Sequence, residues 1–522
     1  MFKKHTGNTR TKFAMTVLAA AISAHFSLAS AATDGSTRVI VGFKAGGAAN
    51  GKAAIAAARG KVVQDLAEIN ATAAEIPSSE LAILRKNSQV DFVEEDQKRY
   101  PFATSTPSTG TPYMLGQLVP YGISMVQADQ LPDTYVSNRT VCIIDSGIDL
   151  AHEDLNGNHL SGNSNPGTGN WYTDELHHGT HVAGTIAALN NAGVGVVGVN
   201  PGRQLNIHIV KVFSADEWTY TSTLIGAANK CGAAGANVIS MSLGGGAPSI
   251  AEELAFAGLA KRGVLSIAAA GNDGNNTQSY PAGYSSVMSI GAVDQDMKIA
   301  DFSQFTPKVE LSAPGVSVLS TVPMGSGRET ELKVGASSYA SRVMDGSPAG
   351  AVTAPLANFG LGTATDSAMA GKICLIQRGS ISFGTKVANC QASGGVGAVV
   401  YNNVAGELNG TLGGTVTAIP SVGVSDTDGA SLVAQLGQQA SLKVTATNYA
   451  LFDGTSMATP HVSAVAALVW SYFPKCSAAQ IRSTLDKTAL DLGAAGRDPY
   501  YGYGLVQAKA AYDRIRTMGC NN

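Results

Sequence analysis

The stretch HHGTHVAGT, residues 177–185, places His177, His178 and His181 within five positions. Imidazoles this close can ligate a metal, serve as a base or pack in a core. His178 and His181 share one face of a helical pattern. A zinc-peptidase helix, however, needs its histidines at i and i+4 with a Glu between them, and no Glu stands here. A catalytic base then needs a nucleophile to activate and an acid to orient it. Ser456, in GTSMATPH (454–461), follows a Gly-Thr turn and leads into an Ala-rich helix. Free backbone N–H groups at that helix start would surround the hydroxyl and favour an oxyanion beside it. The same serine also reads as an ordinary N-cap. Asp145, in VCIIDSGID, ends an apolar run and enters a glycine turn, at the kind of strand end where α/β sites form. An Asp there is equally a common turn former. What lifts the three above their ordinary readings is their coincidence in one chain.

These residues need a scaffold. From about residue 117, the runs TVCIID, LNIHIVKVF, NVISMSLGG, GVLSIAAAG and VMSIGAV are continuously aliphatic or β-branched and alternate with helical stretches. Such runs suit a parallel sheet buried on both faces, which makes the class α/β. Between about 325 and 447 the composition shifts to Gly/Ser/Thr/Val-rich strands (GKICLIQRGS, GAVVYNN, TAIPSVGVS), read as a small β-rich module inserted in a surface loop. Helical character returns in MATPHVSAVAALVWSYF and SAAQIRSTLDKTAL. Residues 36–96 form a separate unit, with TRVIVGF and VDFVEED as strands and GKAAIAAARG and SSELAILRKN as helices. PFATSTPSTGTP, just after it, is a linker open to proteolytic nicking.

The bulk numbers narrow the setting. A chain of 522 residues predicts two or three folded units, and 60 glycines with only 14% charged residues predict a surface rich in Gly, Ser, Thr and Asn. A net charge of −3, with no Lys/Arg cluster interleaved with aromatics, argues against a nucleic-acid partner. The N-terminus carries four basic residues and no acid in MFKKHTGNTRTK, then the apolar FAMTVLAAAISAHFSLA, then a small-residue cleavage site at Ala29-Ser30-Ala31. Residues 1–31 are therefore expected to be a signal peptide and the product to be secreted, with no membrane contact after cleavage. Six cysteines suit that compartment. Proximity favours Cys374–Cys390 and Cys476–Cys520, leaving Cys142–Cys231, although fifteen connectivities are open.

In QLVPYGIS, CIIDSGIDLAHEDL, HGTHVAGTIAALNN, MSLGGG, AAAGNDG, SAPGVSVLST and DGTSMATPHVSAVAAL, taken in this order, the chain resembles the subtilisin family of serine proteases. The resemblance runs from about 117 to the C-terminus, apart from the insert. It implies a three-layer α/β fold with a mostly parallel central sheet flanked by helices. It also implies a serine endopeptidase in which Asp145 orients His178, His178 takes the proton from Ser456, and the side chain of Asn272 donates to the oxyanion. His181 is then a packed helix residue and His177 an exposed neighbour.

By the same resemblance, an extended peptide would add as a strand along Ser242, Leu243 and Gly244. Ala269, Ala270 and Gly271 would wall a pocket for the residue before the cut, giving a broad, hydrophobic-leaning specificity, with Asp273 at its rim. A structural Ca²⁺ would be held by Gln117, Asp154, Asn191 and the carbonyls of Leu189, Val194 and Val196, in a loop one residue longer than the common form; catalysis itself would need no cofactor. RVIVGFK and DFVEEDQ resemble the family's inhibitory propeptide. GKICLIQRGSISFGTKVANCQASGGVGAVVYNN and AIPSVGVS resemble a protease-associated (PA) domain, in which Cys374–Cys390 would close a short hairpin-like loop.

The expected order is thus a signal peptide at 1–31, a small α+β propeptide at 36–100 and a processing region at 101–116. A catalytic domain at 117–324 and 447–522 is interrupted by a PA-like domain at 325–446. Self-cleavage is expected after Tyr100, Phe102 or Leu115. The partners are protein and peptide substrates and the propeptide, and a monomer is expected. Two other classes fit the residues less well: a catalytically silent binding scaffold, since none of the three catalytic residues is missing, and an esterase, since the binding edge suits peptides.

Overall fold

A computed structural model describes residues 35–102, 104–105, 117–191, 193–214, 217–408 and 410–521. The expected signal segment, and most of the expected processing region including the bond after Leu115, lie outside the described residues. Two compact units divide the chain. The smaller holds the N-terminal residues to Asp65 and Thr72–Glu95; the larger holds Leu66–Ala71 and Asp96–Asn522.

In the smaller unit, the strands Ser36–Phe43, Lys61–Leu66, Ala71–Pro77 and Val90–Glu95 form one sheet, in which Ser36–Phe43 lies between Ala71–Pro77 and Val90–Glu95. Val39, Val41 and Phe43, at alternate positions of one strand, pack with Ile55 of the helix Ala48–Ala57 and with Ile76. The two-residue period puts one face of the strand in the core.

The larger unit is built on seven parallel strands. Their order is Val309–Pro314, Val287–Val293, Leu265–Ala269, Val238–Met241, Thr140–Asp145, Asn206–Lys211, His159–Ser164. Alternation along the central strand splits the apolar residues between two cores. Val141 and Ile143 face one core with the helices His178–Ala187 and Thr455–Tyr472. Cys142 and Ile144 face the other with Thr221–Ala233 and Ile250–Lys261. This explains why the inner strands are mostly apolar rather than alternating: both faces are covered. Thr455–Tyr472 is buried along nearly its whole length, which suits a helix apolar on every side. Cys142–Cys231 ties the central strand to Thr221–Ala233, and Cys476–Cys520 joins the two C-terminal helical segments. Among the described residues no helix is long and apolar enough to cross a membrane.

Between Val318–Thr321 and Tyr449–Asp453, which pair antiparallel, the chain leaves to form an eight-stranded mixed sheet. Within it Ile373–Gln377, Gly397–Tyr401 and Ser421–Val424 run parallel. Parallel neighbours require crossovers, and the helices Phe383–Ala392 and Asp426–Val433 lie between and after them in sequence. Cys374–Cys390 therefore joins a strand to a helix. The hairpin-like loop expected there is not formed. Its sequence, FGTKVANCQA, buries Gly384, Lys386, Val387 and Cys390 at helical spacing, a pattern the polar residues between them obscure.

Candidate active site

Asp145 is the last residue of the central strand, and its side chain is fully buried. Its Oδ1 accepts from Ser146 N at 2.7 Å, Ser146 Oγ at 3.1 Å and His178 Nδ1 at 2.8 Å. His178 opens the helix His178–Ala187 because His177 before it is in the left-handed region at φ 65°, which turns the chain sharply into the first turn. The helix reaches Asp145 only because Gly179 lacks a side chain: a Cβ there would stand 2.1 Å from Gly147 O and 3.2 Å from Asp145 Oδ1.

Burial by itself would lower the pKa of His178. The charge and hydrogen bond of Asp145, with the charge of Asp174 behind it, outweigh burial and hold the pKa above the ordinary imidazole value. Asp174 was not singled out in the sequence. It is buried, accepts from Ser146 Oγ at 2.7 Å, Thr180 N at 2.8 Å and Thr180 Oγ1 at 2.6 Å, and burial raises its pKa despite these bonds. Four residues before His178 in TDELHH, it reads as a turn former; only its burial beside Ser146 marks it.

His181 packs as a core residue. Its ring stacks on Phe452 at 4.4 Å, Nε2 donates to Val318 O at 3.0 Å, and burial beside His178 lowers its pKa to about 3, so it stays neutral. His177 is half-buried rather than fully exposed. It lines a cavity of about 1000 Å³ shared with Phe452 and with Arg342, Met344 and Thr411 of the inserted sheet region.

Ser456 is the second residue of Thr455–Tyr472 and is fully buried. Its Oγ donates to Ser242 O at 2.9 Å, and Ser242 Oγ donates back to Ser456 O at 2.8 Å. Ser456 O is free to accept because Pro460, four residues on, has no N–H to give it. His178 Nε2, buried, has no hydrogen-bond partner, so no bond joins it to the serine in this arrangement. Asn272 is fixed by its oxygen: Oδ1 accepts from Thr455 N at 2.9 Å and Thr455 Oγ1 at 2.8 Å. Thr455 Oγ1 in turn accepts from Gly271 N at 3.2 Å. Ala269, Ala270 and Gly271 are buried at the end of their strand, and Gly271 turns at φ 112°.

The expected peptide edge is occupied by the chain itself. Lys98–Pro101 forms a strand between Thr219–Tyr220 and Leu243–Gly244, antiparallel to both, with Tyr100 opposite Gly244 and Pro101 opposite Leu243. Phe102 N donates to Ser456 Oγ at 3.1 Å. Its ring lies against Gly244, where a Cβ would meet Phe102 Cε2 at 2.8 Å. Beyond it, Thr104–Ser105 pairs with Asp453 and Phe452. These residues, from Asp96 on, belong with the larger unit rather than with the small sheet.

The residues expected to ring a calcium ion also come together. The buried carboxylate of Asp154 accepts from Val196 N at 2.9 Å and Asn191 Nδ2 at 3.0 Å, and burial raises its pKa to about 6. Gln117 Nε2 donates to Leu189 O at 2.9 Å, Val194 N donates to Asn191 O, and Leu118 pairs with Val196. At Gly195, φ 57°, a Cβ would stand 2.5 Å from Asp154 Oδ2. One carboxylate, two amides and several carbonyls suit a hard cation by donor type. The Gln117 and Asn191 amides now present nitrogen and would turn over to present oxygen. Among the described residues no three His, Cys, Asp or Glu side chains cluster as a metal site.

A buried Asp–His pair and a serine at a helix start, carried on one parallel α/β sheet, are the parts from which a serine hydrolase site is built. Residues 137–346 and 416–504, more than half of the chain, match the subtilase family, and residues 351–432 match the PA domain. The protein therefore belongs to the subtilase family of serine peptidases, with an inserted PA domain.

Subtilisin amylosacchariticus of Bacillus subtilis subsp. amylosacchariticus is 38% identical over 300 residues, 55% of this chain and 74% of that protein. The alkaline protease of Alkalihalobacillus alcalophilus is 34% identical over 326 residues, covering 59% and 80%. Among solved structures, the psychrophilic subtilisin-like protease Apa1 of the Antarctic psychrotroph Pseudoalteromonas sp. AS-11 is 43% identical. Its match covers 78% of this chain and all of that one, with a TM-score of 0.58.

Proposed function

We propose that this subtilase is an exported endopeptidase that first cuts its own chain between Phe102 and Ala103 and then cleaves other proteins. In this reading Asp145 fixes the ring of His178. The Ser456 hydroxyl turns from Ser242 O to His178 Nε2, gives up its proton there, and attacks the carbonyl carbon of the residue held where Phe102 lies. The oxyanion is met by the Asn272 amide N–H and by the backbone N–H of Ser456, its neighbours Thr455 N and Met457 N being held by Asn272 Oδ1 and Gly454 O. His178 then returns the proton to the leaving amine, and water, deprotonated by the same base, releases the acyl group.

The observation that carries the reading is the placement of Lys98–Pro101 against Leu243–Gly244 with Phe102 N on Ser456 Oγ. That register makes Phe102 the residue before the cut, and the pairing of Thr104–Ser105 with the strand leading to Ser456 continues the chain on the far side. A phenyl ring against Gly244 fits a hydrophobic-leaning first pocket walled by Ala269, Ala270 and Gly271. The unit before Asp96 would act as inhibitor until the cut, and a Ca²⁺ held by Gln117, Asp154, Asn191 and the carbonyls of Leu189, Val194 and Val196 would brace the loop after His178–Ala187. Export is supported by the leader-like N-terminal residues and by six cysteines paired in three disulfides.

The test is the intact mass of full-length protein and of Ser456→Ala after incubation with calcium, with casein as added substrate. The reading expects a wild-type product beginning at Ala103 and casein digestion, with Ser456→Ala uncut and inactive. Equal behaviour of the two proteins contradicts it.

A further inference from the structure

Arg99 is fully buried although it belongs to the strand that fills the cleft. Counting back from the bond after Phe102, it is the fourth residue. Its guanidinium enters a pocket floored by Glu252, with Nε on Oε1 at 3.0 Å and Nη2 on Oε2 at 2.6 Å, a two-pronged pair in which both side chains have zero exposure. Nη2 also donates to Ala247 O at 3.1 Å. Gly245 admits the group, since a Cβ there would sit 3.2 Å from Arg99 Nη1.

Glu252 is itself held from behind. Tyr284 Oη donates to its Oε2 at 2.8 Å, and Ser249 N donates to Tyr284 Oη at 2.8 Å. Its backbone N is capped by Ser249 Oγ at the start of Ile250–Lys261. All of these groups except Arg99 lie in the catalytic domain and remain after a cut at Phe102. Among the described residues Arg99 is the one cation paired with Glu252. Its departure leaves a recessed, pre-oriented carboxylate whose counter-charge has gone.

We infer that Glu252 is a specificity-determining residue that makes this subtilase favour substrates with arginine at the fourth position before the cut. The inference rests on the proposed register at Phe102 and deepens it. Arginine fits because its planar fork takes both carboxylate oxygens at once; lysine offers a point charge and one prong. Leucine would strand the carboxylate, and a site built to hydrogen-bond a group rejects analogues that lack it by far more than a change in apolar bulk does. Water entering an open cleft softens that rejection, so about a hundredfold preference is expected, below the strongest cases of about 10⁴. The neighbouring residue adds in the same sense: Lys98 Nζ lies 3.9 Å from the centre of the Trp218 ring, a second cation-accepting surface.

The experiment uses the self-processed protein and four chromogenic peptides, acetyl-X-Tyr-Pro-Phe-p-nitroanilide with X = Arg, Lys, Leu or Glu. Wild type should show kcat/KM in the order Arg, Lys, Leu, Glu, with Arg about a hundredfold above Leu. In Glu252→Gln the Arg-to-Leu ratio should fall below about tenfold. Leu cleaved as fast as Arg by the wild type overturns the inference while leaving the endopeptidase reading intact, and this holds even if the variant does not fold. An unchanged ratio in a folded Glu252→Gln also overturns it. Failure on all four peptides together with failure on casein is a different result: it removes the proposed function and the inference with it.

Discussion

At Asp145 one carboxylate oxygen takes three hydrogen bonds, from Ser146 N, Ser146 Oγ and His178 Nδ1. The pH behaviour of the site follows from that concentration of donors. In the proposed mechanism His178 acts as a base only when neutral, and its pKa is held above the ordinary 6.5. Activity should therefore be lost as pH falls through that raised value, giving kcat/KM an acid limb with an apparent pKa above 6.5, read from a pH–rate profile. Asp145→Asn removes the charge that raises it, so the limb should move to lower pH while kcat falls about 10⁴-fold. Asp174 predicts a different signature. Asp174→Ala strands the buried Thr180 N–H and hydroxyl, while Ser146 Oγ keeps Asp145 Oδ1 as acceptor, and should cost about 3 kcal/mol of stability in a denaturant titration. Asp145, His178 and Ser456 could be singled out in the sequence because the proposed chemistry demands those residue types. Asp174 and Glu252 could not, because an acid in a turn or on a helix looks the same in sequence whether buried or exposed. Glu253, beside Glu252, is the exposed one.

Two helices carry the proposed base and nucleophile, and each depends on a residue with no reactive group. Gly179 lets His178–Ala187 close onto the loop after Asp145. Pro460 leaves Ser456 O open for Ser242 Oγ, which joins the helix start to the peptide edge. Gly179→Ala should push the helix away from Gly147 O and displace His178 by a fraction of an ångström or more. Displacements of about 1 Å cost roughly a hundredfold in rate, so kcat should fall to that degree while far-ultraviolet circular dichroism stays native. The five apolar runs read as strands do form strands of the central sheet, since burial on both faces keeps their few polar residues, such as His208, Ser240 and Ser266, too sparse to disguise them. Phe383–Ala392 was hidden by its own Thr, Lys, Asn and Gln, and its amphipathic face shows only against the sheet it covers. The strand Lys98–Pro101 was hidden for another reason. Nothing local makes it a strand; its partners at Leu243–Gly244 and Thr219–Tyr220 lie far along the chain.

On the scale of the molecule, a catalytic α/β unit carries the PA domain between Val318–Thr321 and Tyr449–Asp453, the latter running directly into the Ser456 helix. The order of these parts was readable as shifts in composition, whereas the cavity they share beside His177 was not, because residues distant in sequence line it. The loop holding Asp154 lies at the far end of the His178 helix, so a cation there would stabilise the catalytic unit without touching the reaction. Calcium at about a hundred times its dissociation constant should add about 2.7 kcal/mol, seen as a higher melting temperature. Asp154→Asn should abolish the increment while the uncut protein still folds. The claim on which everything else depends is that Ser456 is the nucleophile activated by His178. The direct measurement is to treat the self-processed protein with a fluorophosphonate, digest it with trypsin and locate the adduct by mass spectrometry. The account predicts one adduct, on Ser456, with casein hydrolysis lost in proportion to labelling and with a labelling rate that falls at low pH along the same acid limb as kcat/KM. Full activity in protein labelled at Ser456, or an adduct on another serine that tracks the loss of activity, would contradict it.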